Sequence, residues 1–509
     1  MQFLDVTLRR SASGVTVAPE ISPFAIIGRL ALVRRLPLIG RLPVFVCLVL
    51  VVQLIGGSFA DQVRAFTPML STAASVAGAV STGATTVSTA VTAAATTAAG
   101  SAREAIAAAS HVEAAERDSA LAVLDSARTT PAAAANPATV AHILDAALPA
   151  GVVAAWWTGL SASERADLTA AAPVLVGNLD GVPLDDRVEA NRVTASRTLA
   201  AYPRTGSDLA SAEASYLAKV SSGIASLYAF DVGRDSIVEI VGNPHTATRA
   251  LVFTPGTTAS LTDFYTGNIQ SLASWEVGNA PASQSTVAFV SKLGSFPEWT
   301  VADGPLDNRR SIELGVTFHR FNSGLDSTIV GSLPRTSVEH SFGSSVGGVA
   351  EMLGTRFDTR IVLGGVGMVA GWLPSESTRY VAYVAGNDVT RYIYGLVNGD
   401  AVGYAVSPSA ANSFEQKDPG LTADSWYLPL RLLAGAVGPA IEVIEGFINH
   451  NKVASASGNT SVLESIRSDI VLSAEPRVAL RNGGEKPAPA PAAHVEALFL
   501  TPRESNPEL

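Results

Sequence analysis

The chain has 509 residues, 47% of them hydrophobic, enough for a sizeable core and for more than one structural unit. Its formal charge of −10 leaves no broad basic surface for phosphates and argues against nucleic acid as a partner. One cysteine, Cys47, rules out an internal disulfide and a thiolate cluster, and seven scattered histidines with no H-E-x-x-H run point away from zinc.

Residues 1–60 read as a signal peptide or a signal anchor. Arg9, Arg10, Arg29, Arg34, Arg35 and Arg41 precede the apolar run Val44 to Ile55, and a small-residue end follows, with cleavage expected after Ala60. The run is short for a span of about 20 apolar residues. Extended over residues 42–60 it makes a membrane anchor if the leader is not cleaved; the bland alternative is a buried segment of the fold. Either export route puts the body outside the cytoplasm, secreted or anchored. Without residues 1–60 six basic and two acidic residues go, which leaves 29 against 43, a charge of −14.

Residues 61–150 read as an Ala/Thr-rich, partly helical spacer. Ser71 to Ala99 is of low complexity, either a weak helix or an unstructured stretch. Ala102 to Leu124 has good helix formers, and Thr129 to Pro137 reads as a break. Residues 151–225 read as a helical extension. Trp156-Trp157 precedes a helix that starts at Ser161 or Ser163, with Glu164 completing a capping box, and Pro173 ends it. A turn-rich loop, 177–183, leads to a helix opening at Asp186. Asp180, Arg187 and Arg192 read as a structural salt-bridge and turn cluster, because no nucleophile and base occur together there.

From Ser226 the period changes. Short apolar strands are expected at 226–230, 236–241, 250–253, 286–290, 360–363 and 380–384, with a helix over 307–321 and a long apolar helix over 428–449. Strands alternating with helices, several of them ending in glycine-rich loops, predict an α/β fold with a mostly parallel sheet covered on both faces. Sites in such sheets gather at the carboxyl ends of the strands. Pro255-Gly256-Thr257, Ser341, Gly364 to Gly367 and Asp388 all fall there. Arg335 to Gly348 reads as strand, tight turn and helix start, with Ser341 at the tip. Val338-Glu339-His340-Ser341-Phe342-Gly343 resembles the nucleophile elbow of α/β-hydrolases, G-x-S-x-G. The core is expected over 226–455, and 456–509 reads as a tail with a Pro/Ala linker from Glu485.

Three pieces in order, Trp156 to Arg192, Val238 to Thr258 and the elbow, resemble an actinobacterial α/β-hydrolase family of unknown function, over roughly Gly151 to Asn451. The resemblance implies an α/β-hydrolase fold with a helical N-terminal extension. It implies Ser341 as nucleophile and Asp388 as the triad acid. The backbone N–H of Phe342 and the loop Gly256-Thr257 would form the oxyanion hole. Two departures stand out. Glu339 replaces the family's first glycine and is expected to crowd the helix and relax the elbow. No histidine lies in 416–427, where the base belongs and where Asp424-Ser425 stands; after Asp388 only His450 and His494 remain. His450 reads as the far end of the last helix, and His340 is expected to point to the opposite side of its strand.

Two functions follow. One is an exported or membrane-anchored serine hydrolase acting on a small-molecule or lipid-like ester or acyl substrate, without metal or organic cofactor. Its base is His450 if the last helix is placed unusually, or is missing. The other is a catalytically silent binding protein of the cell envelope on the same fold. A third, the 61–130 region as an envelope spacer, has little sequence to support it.

Overall fold

The computed structural model describes residues 100–202, 208–298, 304–305, 308–391, 404–421, 446–457 and 459–472. The leader, its apolar run, Cys47, the low-complexity stretch 71–99, Asp424-Ser425, residues 428–445 of the expected long helix, His494 and the Pro/Ala tail lie outside the described residues. Among the described residues no helix is long and apolar enough to cross a membrane.

The strands in chain order are β1 (Ser226–Asp231), β2 (Ser236–Val241), β3 (Arg249–Thr254), β4 (Thr286–Leu293), β5 (Arg335–His340), β6 (Thr359–Leu363), β7 (Met368–Val369), β8 (Arg379–Tyr383), β9 (Tyr404–Val406) and β10 (Glu415–Lys417). Eight of them form one sheet in the order β1-β2-β4-β3-β5-β6-β8-β10, and β7 and β9 pair separately. From β4 to β10 every pair is parallel; β1, β2 and β4 pair antiparallel at one edge. The turn Val232–Arg234 closes the β1–β2 hairpin, helped by Asp235 in the left-handed region at φ 52. So short a link permits only an antiparallel pair, whereas parallel neighbours need a crossover. Helices 261–266 and 271–278, 309–326 and 343–352 supply the crossovers from β3 to β4, β4 to β5 and β5 to β6.

β3 is buried along its whole length. Its alternate residues feed two cores. Leu251 and Phe253 face one that helices 208–221, 271–278 and 460–472 cover, with Leu217, Leu272 and Leu463. Ala250 and Val252 face another that helices 309–326 and 343–352 cover, with Phe318, Phe321 and Val346. That alternation is the period of a strand buried on both faces. The fold is therefore α/β, with a mostly parallel sheet between helical layers.

The helices before β1 have a core of their own around Trp157, Leu168 and Leu175. Ser161 and Glu164 form the expected capping box on helix 162–171. Pro173 does not merely end that helix: it opens the next, Pro173–Asn178, at a position where a proline's missing N–H costs nothing. The expected break at 129–137 likewise holds a short helix, Pro131–Ala134, and 102–124 is interrupted at 111–113. Asn178 and Asn191 bond the backbone of β1 and join this unit to the sheet. Arg187 pairs with Asp180 at 2.7 Å and lies over the Tyr228 ring, whereas Arg192 pairs with Glu189 at the surface. The cluster is structural, without Arg192.

Helix 460–472 belongs to the packed body. Val462, Leu463, Ile466 and Ile470 are buried in the same core as Leu251, so the body does not stop at 455. β7, β9 and β10, of two or three residues each, are too short to carry a readable period.

Candidate functional site

The site begins where β5 ends. Ser341 adopts φ 52, left-handed and costly for a residue with a side chain, by about 1–3 kcal/mol. Four bonds hold it there: its N–H donates to the Leu363 carbonyl at 2.9 Å, and its own carbonyl accepts from Val366 N–H at 3.2 Å, Ser344 N–H at 3.1 Å and Ser344 Oγ at 2.7 Å. The chain then enters helix 343–352 at once. A side chain at Gly343 would lie 2.6 Å from the Thr254 carbonyl, so this glycine lets the helix start close to β3. The serine thus stands at the carboxyl end of a central strand, in a strand–turn–helix elbow.

Glu339 does not relax this turn. Its side chain runs beneath the helix into space that Gly347 leaves free. There Arg360 binds it through Nε at 3.0 Å and Nη2 at 2.5 Å, and Ser337 Oγ donates at 2.7 Å. Arg360 also holds Glu351, which takes further bonds from Trp372 and Tyr380. Burial pushes the Glu339 carboxyl up, against the pull of Arg360. The room this carboxylate needs is supplied by Gly347 in the helix.

Asp388 follows β8 and is fully buried. Thr390 donates to it twice, from N–H at 2.8 Å and from Oγ1 at 2.6 Å. Burial alone would raise its carboxyl. His450 and the Thr390 bonds outweigh that and hold it below the usual carboxylate range. His450 Nδ1 lies 3.1 and 3.2 Å from its two oxygens. A carboxylate only accepts, so Nδ1 carries a proton, and in the neutral ring Nε2 keeps its lone pair. That is the tautomer of a general base oriented by an acid.

His450 reaches Asp388 because its helical stretch, 446–452, sits on the Asp388 loop. Gly446 lies against the Asn387 carbonyl, and Asn449 Nδ2 donates to Asn387 Oδ1 at 2.9 Å. Gly364, at φ 55, completes the fit, since a side chain there would come within 2.6 Å of His450 Nδ1. The expectation that His450 lies far from the site fails: the described stretch 446–452 brings its ring onto Asp388, and helix 460–472, packed in the core, follows it.

His340 also departs from expectation. Its ring lies 4.9 Å from that of His450, and its Nε2 donates to the His450 carbonyl at 2.9 Å. Strand alternation ends at His340, and the left-handed turn at Ser341 brings both residues to the same end of the sheet. A side chain at Gly256 would meet Ser341 Cβ at 2.8 Å and His340 Nδ1 at 3.0 Å. The loop after β3 thus passes directly beside the serine. Desolvation of the partly buried His340 ring pushes its pKa down to about 3, and His450 acts in the same direction.

Ser341 Oγ has no hydrogen-bond partner among the described residues. The backbone N–H groups of Phe342, Gly256 and Thr257 donate to nothing among them either. The Phe342 side chain is buried, edge-on to Phe296. Among the described residues no three His, Cys, Asp or Glu side chains group as a metal site. Thr390 and the Glu339–Arg360 pair escape a reading of the sequence; the one visible trace is the D-x-T spacing from Asp388 to Thr390. No protein-family model matches the chain, and no curated protein matches it.

Proposed function

We propose that the chain is a serine hydrolase of α/β-hydrolase type, acting on an ester-like or acyl substrate. The observation that carries this reading is the left-handed Ser341 at a strand–turn–helix elbow whose neighbourhood holds the His450–Asp388 pair. The chain order Ser, Asp, His and the free amides after the nucleophile and in the β3 loop support it too. Ser341 Oγ attacks the acyl carbon and its proton passes to His450 Nε2. The Phe342 amide and the 256–257 loop stabilise the oxyanion. His450 returns the proton to the leaving alcohol, and an acyl-serine remains. Water, deprotonated by His450, then releases the acid and restores the serine. Asp388 stabilises the imidazolium throughout. Hydrogen bonds between nucleophile and base are often loose without substrate, which fits an unpartnered Oγ.

The case for a silent binding domain rested on a base missing from 416–427, yet a histidine stands on Asp388 all the same. A fluorophosphonate probe tests the reading, because an activated serine displaces its fluoride and bonds to phosphorus. The folded full chain should label, Ser341→Ala should not, and His450→Ala and Asp388→Asn should label several powers of ten more slowly. A folded wild type that does not label leaves the binding domain.

A further inference from the structure

The base is carried by a helical stretch rather than a loop. Its contacts with Asn387 and Asp388 fix it from one side. A further tie comes from the elbow. We propose that His340 is a positioning residue that grips the backbone carbonyl of His450 and so holds the base in register with the nucleophile next to it in sequence.

The bond is 2.9 Å long and its direction is fixed, since a carbonyl only accepts. His340 Nε2 therefore carries its proton. His450 lies in the last turn of the stretch that ends at 452, and carbonyls there have no partner within the helix. A polar cap would satisfy that need from any direction. This cap comes from the residue bonded to Ser341, so a shift of the elbow and a shift of the base are coupled. The rings lie 4.9 Å apart at 41°, close enough to limit tilting of the His450 imidazole away from Asp388. The groups that face His340 are His450 and, beyond it, Asp388. The ring stays neutral at working pH, so it does not oppose the charge His450 gains when it takes the serine proton.

This inference rests on the hydrolase reading for its catalytic meaning, but the grip can be measured apart from it. Fluorophosphonate labelling of the full chain would be followed against pH for wild type, His340→Leu and His340→Gln. Leu fills the space without a donor, and Gln supplies one. His340→Leu should label about 10²-fold more slowly, the cost of a misplaced catalytic group. The pH midpoint of its labelling should shift, and Gln should restore most of both. Wild-type rate and midpoint in the Leu variant would overturn the proposal. If the Leu variant does not fold, His340→Phe, a flat ring without a donor, takes its place, and wild-type behaviour there overturns it equally. If the wild type itself does not label, the hydrolase reading falls and hydrogen exchange over 446–457 decides. Faster exchange in the Leu variant, reversed by Gln, supports the grip; unchanged exchange sinks it.

Discussion

Two buried residues show how much a single position can govern here. Gly364 has φ 55 and faces the His450–Asp388 pair with no room for a methyl group. Gly364→Ala should slow probe labelling by about 10²-fold while the melting temperature falls only a little, because His450 can swing away at less cost than the sheet can move. A large loss of stability with no loss of labelling would contradict this account. Glu276 is a carboxyl 2% exposed, and neither of its oxygens has a hydrogen-bond partner among the described residues. Burial pushes its pKa up to about 8, from 4.5, against the pull of Arg467. The folded state therefore holds this proton more tightly than the unfolded state. Its contribution is present in full below about pH 4.5 and is lost as pH rises through about 8. Glu276→Gln keeps the shape without the charge. Relative to wild type, its urea midpoint should gain steadily across that window. A constant difference between the two would show that Glu276 is ionised in the fold at little cost.

At the scale of elements, the elbow and its helix stand on the Glu339–Arg360–Glu351 group, in which both Arg360 and Glu339 are fully buried. Two carboxylates and one guanidinium so deep in the fold are a poor source of net stability, but removing the cation strands two buried anions. Arg360→Met should cost about 3–5 kcal/mol in denaturant unfolding. Glu339→Gln, which keeps a partner for Arg360, should cost less. Equal losses in the two variants would mean that the group fills space rather than balances charge. The sequence showed the strand, the turn and the serine, because period and glycine placement are local properties. It did not show that Glu339 is accommodated, because the accommodating residues, Gly347 and Arg360, lie eight and twenty-one positions away. It misled about His340 for a related reason: strand alternation does not continue through a left-handed residue.

At the scale of the molecule, most strands from β1 to β8 were legible, since each is an apolar run with a clear end. The antiparallel edge, the two-residue β7 and the position of the base were not, because pairing and packing partners are long-range. His450 was misjudged because the helix at 460–472 went unread, so that 428–449 passed for the last helix. Helix 460–472 is more polar overall yet presents a clean apolar face. Val462, Leu463, Ile466 and Ile470 are at most 4% exposed. Its polar side is also engaged: Asp469 binds Arg379, Lys417 and Tyr383, which ties it to β8 and β10. Arg249 of β3 donates to the carbonyls of Ile470 and Val471. At about 1.5–3 kcal/mol for each buried apolar side chain, four of them approach the whole stability of an ordinary domain, about 5–15 kcal/mol. A chain ended after Asn459 should therefore lose cooperative unfolding, though it keeps Ser341, Asp388 and His450. Labelling should vanish with it, because β8, which leads to Asp388, would lose the helix that covers it. If that shortened chain instead unfolds cooperatively and labels at the wild-type rate, then the body does end near 455, and helix 460–472 is an attachment rather than part of the core.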